Sequence, residues 1–122
     1  AIETLVKVAQ LDPETVDLHF SLGNLFRRRG ETERAIRVHQ HLANRDDIKP
    51  RDRDHAAYEL GRDFLRAGLL DRAEASLNQV GQGKYAIPAK ESLLEMYQVE
   101  KDWKKAIIAA TELQGLQDKA IN

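Results

Sequence analysis

Leu60-Gly61-Arg62-Asp63-Phe64-Leu65-Arg66-Ala67-Gly68-Leu69-Leu70-Asp71-Arg72-Ala73-Glu74 is the stretch that decides the fold of this chain. It holds a Leu-Gly pair, an aromatic residue one helical turn later, a glycine, and a small residue five positions on. The same phrase stands earlier as Leu22-Gly23, Phe26, Gly30 and Ala35. It returns later as Leu93-Leu94, Tyr97, Lys101 and Ala106, with both glycines replaced. The alanines at 1, 35, 73 and 106 are 34, 38 and 33 residues apart. The chain is therefore a repeat of one unit.

A period near 34 residues with bulky, Leu-Gly and aromatic positions, a turn, and then small Ala is the pattern of the tetratricopeptide repeat, a hairpin of helices A and B. Gly23 and Gly61 let helix B approach helix A, and Ala35, Ala73 and Ala106 do so from the opposite side. Gly30 and Gly68 suit the left-handed residue that ends a helix. Pro13, Pro50 and Pro88 suit helix starts. The spacing predicts helices over 1–10, 14–28, 31–44, 52–67, 70–80, 85–99 and 102–114. The 38-residue interval places an insertion at Arg45 to Asp52. The expected fold is all-α: a right-handed solenoid of antiparallel helix pairs. Residues 1–13 would be the second helix of a truncated repeat, and 14–49, 50–82 and 83–115 full repeats. Residues 116–122 would be a tail or the start of a further helix. The first residue is not Met and falls inside a repeat, so a piece of a longer protein is expected.

Composition narrows the function. With 32% charged and 42% hydrophobic residues the chain suits a solenoid with a solvated face, and a net charge of −1 offers no general attraction for nucleic acid or an acidic membrane. Zero cysteines exclude disulfides and thiolate metal sites in this stretch. No apolar run approaches a membrane span. Phosphate loop, nucleophile elbow and zinc-protease motif are all missing, so no enzyme is expected.

Two stretches say more than the repeat pattern. Leu22-Gly-Asn-Leu-Phe-Arg-Arg-Arg-Gly-Glu31 running on through Arg34-Ala-Ile-Arg-Val-His-Gln40, and Leu60 to Phe64 with Ala67 to Glu74, resemble the N-terminal repeats of the lipopolysaccharide assembly protein B family of Gram-negative bacteria. The likeness runs from about Leu11 to Leu113. It implies a cytoplasmic repeat domain held at the inner membrane by an N-terminal helix, with a zinc module at the far C-terminus; neither lies in this chain, and no cofactor is expected within it. The implied role is that of an adaptor regulating lipopolysaccharide biosynthesis. It would bring the lipid A pathway deacetylase to the FtsH protease for degradation. A co-chaperone-like peptide-binding module and a self-association module stand as alternatives. The first is disfavoured because the carboxylate clamp of such modules needs a Lys where this chain has Phe20, although Asn24 matches a clamp asparagine.

In this repeat class the concave face is lined by helix A positions pointing away from helix B. That offset selects Phe20, Asn24, Arg27 and Arg28, with Asp17, in the first full repeat. It selects Tyr58, Arg62 and Arg66, with His55 and Leu65, in the second, and Glu91 and Glu95, with Gln98, in the third. The groove is expected to be basic and partly aromatic, then acidic, and to bind a protein or peptide through arginine forks and rigid aromatic surface. Arg27-Arg28-Arg29 make no single patch, since successive helical residues point about 100° apart. Four histidines offer no local chelating pair, but His19 and His39 both fall at packing positions of one repeat and are expected to meet. Trp103 falls in the turn between the last two helices, as an exposed anchor or packed over a following repeat.

Overall fold

The computed structural model describes residues 11–121. The helix expected over 1–10, with Ala1 in it, lies outside the described residues. Within them six helices follow one another: α1 (Pro13–Arg28), α2 (Thr32–Ala43), α3 (Pro50–Ala67), α4 (Leu70–Asn78), α5 (Ala86–Glu100) and α6 (Trp103–Ile121). Each packs against the next in sequence, and α3 also touches α1 and α5. The chain is all-α, as expected, and α2 packs on α3 as extensively as it does on α1.

Helix starts and stops follow local chemistry. Pro13 and Pro50 occupy the first turns of α1 and α3, where a missing N–H is tolerated. Gly30 and Gly68 end α1 and α3 with φ of 82° and 77°. Lys101 ends α5 in the same left-handed conformation, φ 61°, although it carries a side chain. The repeat geometry thus imposes this turn even where glycine has been lost. Most boundaries shift by one or two residues from expectation, and two ends have a visible cause. α4 stops at Asn78, because the chain leaves the helix through a tight turn with Val80 N–H donating to the Leu77 carbonyl at 3.3 Å. α6 runs on to Ile121 rather than ending near 114, held by half-buried Leu116 and Gln117 and by a Gln114–Asp118 hydrogen bond of 2.9 Å.

Small residues set how near the helices come. Ala35 and Ala73 are fully buried and Ala106 nearly so. A Cβ on Gly23 would lie 2.4 Å from His39 Nε2, and one on Gly61 would lie 2.6 Å from Leu77 Cγ and Cδ2. His39 and Leu77 are equivalent positions, each four residues after its repeat's alanine. In the third repeat the sizes trade places: Leu94 stands where the glycine was, and Ala110 stands at the His39 and Leu77 position. Leu94 is half-buried against the core.

Two apolar clusters result. Val16, Phe20, Leu42, Ile48 and Ala56 form one, so the inserted loop is pinned by Ile48 and by a backbone hydrogen bond from Leu11 to Asp47 of 2.9 Å. Leu60, Phe64, Ala73, Leu77, Ala89, Leu93, Met96, Tyr97, Ala106 and Ala109 form the larger, which joins the second and third pairs. Among the signature residues Leu22 is an exception: it is 41% exposed, on a face of α1 it shares with Leu18 and Leu25. Trp103 opens α6 and is 58% exposed.

Candidate functional site: an arginine-lined groove over a buried ion network

Between α1 and α3 lies a network of charge that the repeat pattern did not foretell. Arg27, on α1, is only 8% exposed. Its guanidinium donates to Asp63 Oδ1 at 2.9 Å, to Glu59 Oε1 at 3.0 Å and to Asn24 Oδ1 at 3.0 Å. Asp63 is fully buried on α3 and accepts a second hydrogen bond, on its other oxygen, from Nδ1 of His39 on α2. One carboxylate thereby ties three helices from two repeats. Glu59 also meets His55 Nε2 at 3.2 Å and Arg62 Nη1 at 3.3 Å. Burial alone would push the Glu59 carboxyl up, but the hydrogen bond with His55 and the charges of Arg27 and Arg62 together hold it down at about 2.

Beside the network runs an aromatic ladder. The Phe20 ring stacks on His55 at 3.8 Å between centroids, and His55 stacks on Tyr85 at 4.4 Å. Tyr58 lies 5.6 Å from Tyr85, and the Arg62 guanidinium sits 5.7 Å from the centre of the Tyr58 ring. The ladder joins α1, α3 and the residue preceding α5.

Above these buried layers, Ser21, Asn24, Arg27, Arg28, Arg62 and Arg66 line a concavity of about 540 Å³. It continues into a second hollow, of about 370 Å³, between α3 and α5, where Leu65, Ser92 and Glu95 join Arg27, Arg62 and Arg66. Five of the residues selected by the helix A offset, Asn24, Arg27, Arg28, Arg62 and Arg66, thus share one wall, and Glu95 stands at its far end. Glu91 is exposed on α5 and lines neither hollow.

Two expected surface contacts need correction. Phe20 is 6% exposed and packs in the first apolar cluster, because His55 covers its ring. Arg27 is turned into the ion network, with only its edge reaching the groove. Tyr58 is half-buried. The expected His19–His39 contact is replaced by two others. His39 pairs with Asp63, while His19 meets the Thr15 carbonyl at 2.7 Å and stacks on His41 at 6.0 Å.

The network did leave a signal in the sequence. Asp63 aligns with Met96 of the third repeat, and His39 with Leu77 of the second, so polar residues stand at core-phase positions and need one another. A similar tie joins the next pair of repeats. The Tyr97 hydroxyl donates to Glu74, which Lys105 also reaches at 3.2 Å. Burial and that carboxylate push the Tyr97 phenol well above its usual range.

Among the described residues no group of three or more His, Cys, Asp or Glu is placed to hold a metal ion, and no helix is long and apolar enough to cross a membrane.

Paired helices with small residues at the seams, and a polar groove across successive A helices, define a helical repeat scaffold of the tetratricopeptide type. In sequence the chain is similar to lipopolysaccharide assembly protein B of Escherichia coli K12, with 42% identity over 117 residues, 95% of this chain. The protein of the same name from Haemophilus influenzae is 37% identical over 107 residues, 87% of the chain. The chain spans about 30% and 27% of the length of these two relatives. No family profile matches it.

Proposed function

We propose that the chain is the protein-binding part of an adaptor in lipopolysaccharide assembly, with no catalytic role of its own. The similarity to proteins named for that assembly supports the process. The observation that carries the binding role is the groove in which Asn24, Arg28, Arg62 and Arg66 converge on two rigid, cross-braced helices. A surface so braced loses little freedom when a partner settles on it, and affinity gains from that preorganisation. Phe20 and Arg27 serve from behind, by fixing α1 against α3, and Tyr58 by stacking α3 on Tyr85. Glu95 gives the groove an acidic end.

In the cell the adaptor works at the cytoplasmic face of the bacterial inner membrane. There it brings the lipid A pathway deacetylase to the FtsH protease and so limits lipopolysaccharide synthesis. The test is capture of both proteins by the longer protein carrying Arg28→Glu and Arg66→Glu. Neither arginine is in an ion pair among the described residues, so melting is expected to stay within about 0.5 kcal/mol of the parent. Capture of at least one partner is expected to fall about tenfold or more. Undiminished capture of both, with the fold intact, would remove the groove from the reading.

A further inference from the structure

The wall of the first hollow is made almost wholly of hydrogen-bond donors. Arginine can only donate, so the atom of Asn24 that stands 3.0 Å from Arg27 Nη2 is the amide oxygen. The Asn24 NH2 is therefore the group left for the groove. Arg28 and Arg66 are exposed and make no ion pair among the described residues, and Arg62 shares a carboxylate that Arg27 and His55 already hold. Such a set has no acceptor to offer a donor-rich ligand, apart from the Ser21 hydroxyl. It fits groups that only accept, such as carboxylates.

The groove then changes character in a fixed direction. The second hollow brings in Leu65, Ser92 and Glu95, and it runs into a third of about 280 Å³ where Leu65, Leu70, Met96 and Val99 stand with the same Ser92 and Glu95. We infer that the groove reads an extended polypeptide segment in one register, with acidic side chains against Arg28, Arg62 and Arg66 and an apolar side chain beyond Leu65. The inference rests on the reading of this groove as the partner site and adds the chemistry of the segment. A polypeptide is favoured over an anionic lipid because the third hollow has the size of one or two side chains and carries the polar Ser92 and Glu95 on its own lining, which suits a mixed peptide better than an acyl chain.

The probe is a fluorescein-labelled peptide with a run of Glu, a Gly-Ser spacer and a pair of Leu, read by anisotropy on this chain. It is expected to bind, and replacing its Glu residues with Gln is expected to weaken it about tenfold or more. Arg28→Glu with Arg66→Glu is expected to do the same, while Val99→Asp, at a position 76% exposed, weakens only peptides that keep the Leu pair. Equal binding of the Glu and Gln peptides, or indifference to both variants, overturns the inference. So does binding of phosphatidylglycerol vesicles without binding of the peptide. If peptide binding follows these expectations while the double variant of the longer protein still captures its partners, the acidic register stands and the partner-site reading falls. If partner capture is lost but Glu and Gln peptides bind alike, the reverse holds.

Discussion

Gly23 and His39 show how closely single residues are matched in this chain. The ring lies where a Cβ on residue 23 would be, and it cannot swing aside without breaking its hydrogen bond to buried Asp63. Gly23→Ala is therefore expected to cost about 1–3 kcal/mol, seen as a lowered thermal midpoint in circular dichroism. Glu59 makes the second residue-scale prediction. Its folded carboxyl sits near 2 against an ordinary 4.5, so the stability it contributes is complete above pH 4.5 and is lost as pH falls toward 2. That shift corresponds to roughly 3 kcal/mol, an order-of-magnitude figure. Urea melts at pH 6 and pH 3 should show a loss in the parent that is much reduced in Glu59→Gln. An equal loss in both would place the acid sensitivity elsewhere.

At the scale of the helix, the turn after α5 is the instructive one. Gly30 and Gly68 meet the left-handed requirement without a Cβ, whereas Lys101 adopts φ 61° with one. A left-handed residue with a side chain costs roughly 1–2 kcal/mol, partly offset by the entropy glycine loses on folding. Lys101→Gly should thus stabilise the chain by up to about 1 kcal/mol. Gly30→Ala is the converse: nothing lies within 4 Å of its added Cβ, so its loss of about 1 kcal/mol would be one of backbone alone. If Lys101→Gly lowers the melting temperature, the lysine side chain matters more than its backbone. The repeat offset pointed to this turn from sequence, since Lys101 stands where Gly30 and Gly68 stand. The length of α6 was less legible. Gly115 interrupts its pattern, and only the packing of Leu116 and Gln117 shows that the helix continues.

At the scale of the whole molecule, buried charge dominates one joint between successive repeats and apolar packing the other. The first and second share the Arg27–Asp63–His39 network and the stack of Phe20 on His55. The second and third share an apolar seam in which Ala73 is fully buried beside Leu60, Phe64, Leu93 and Tyr97. Ala73→Leu overfills that seam and is expected to cost about 1–3 kcal/mol, measured as a drop in melting temperature. An unchanged midpoint would mean the seam can open without penalty. The groove depends on both joints, because its walls are α1, α3 and α5, and the angle between them is set by what lies beneath.

The order of the helices and the seam residues were written in the sequence. Small residues at a fixed interval can serve only one packing, and a glycine or its substitute marks each turn. The helix A offset picked five of the six residues that line the first hollow, since position on a helix decides which way a side chain faces. It missed Ser21, and it also selected Phe20, Tyr58 and Glu91, which do not line that hollow. It could not decide depth. Arg27 and Arg28 are neighbours in sequence and look alike there, yet one is neutralised under the surface and the other is open to solvent. That difference comes from Glu59 and Asp63, thirty-two and thirty-six residues from Arg27, carried on a different helix. Only the tertiary structure brings them to it, because a buried charge is tolerated where opposite charges from distant segments converge, and no local pattern encodes that meeting.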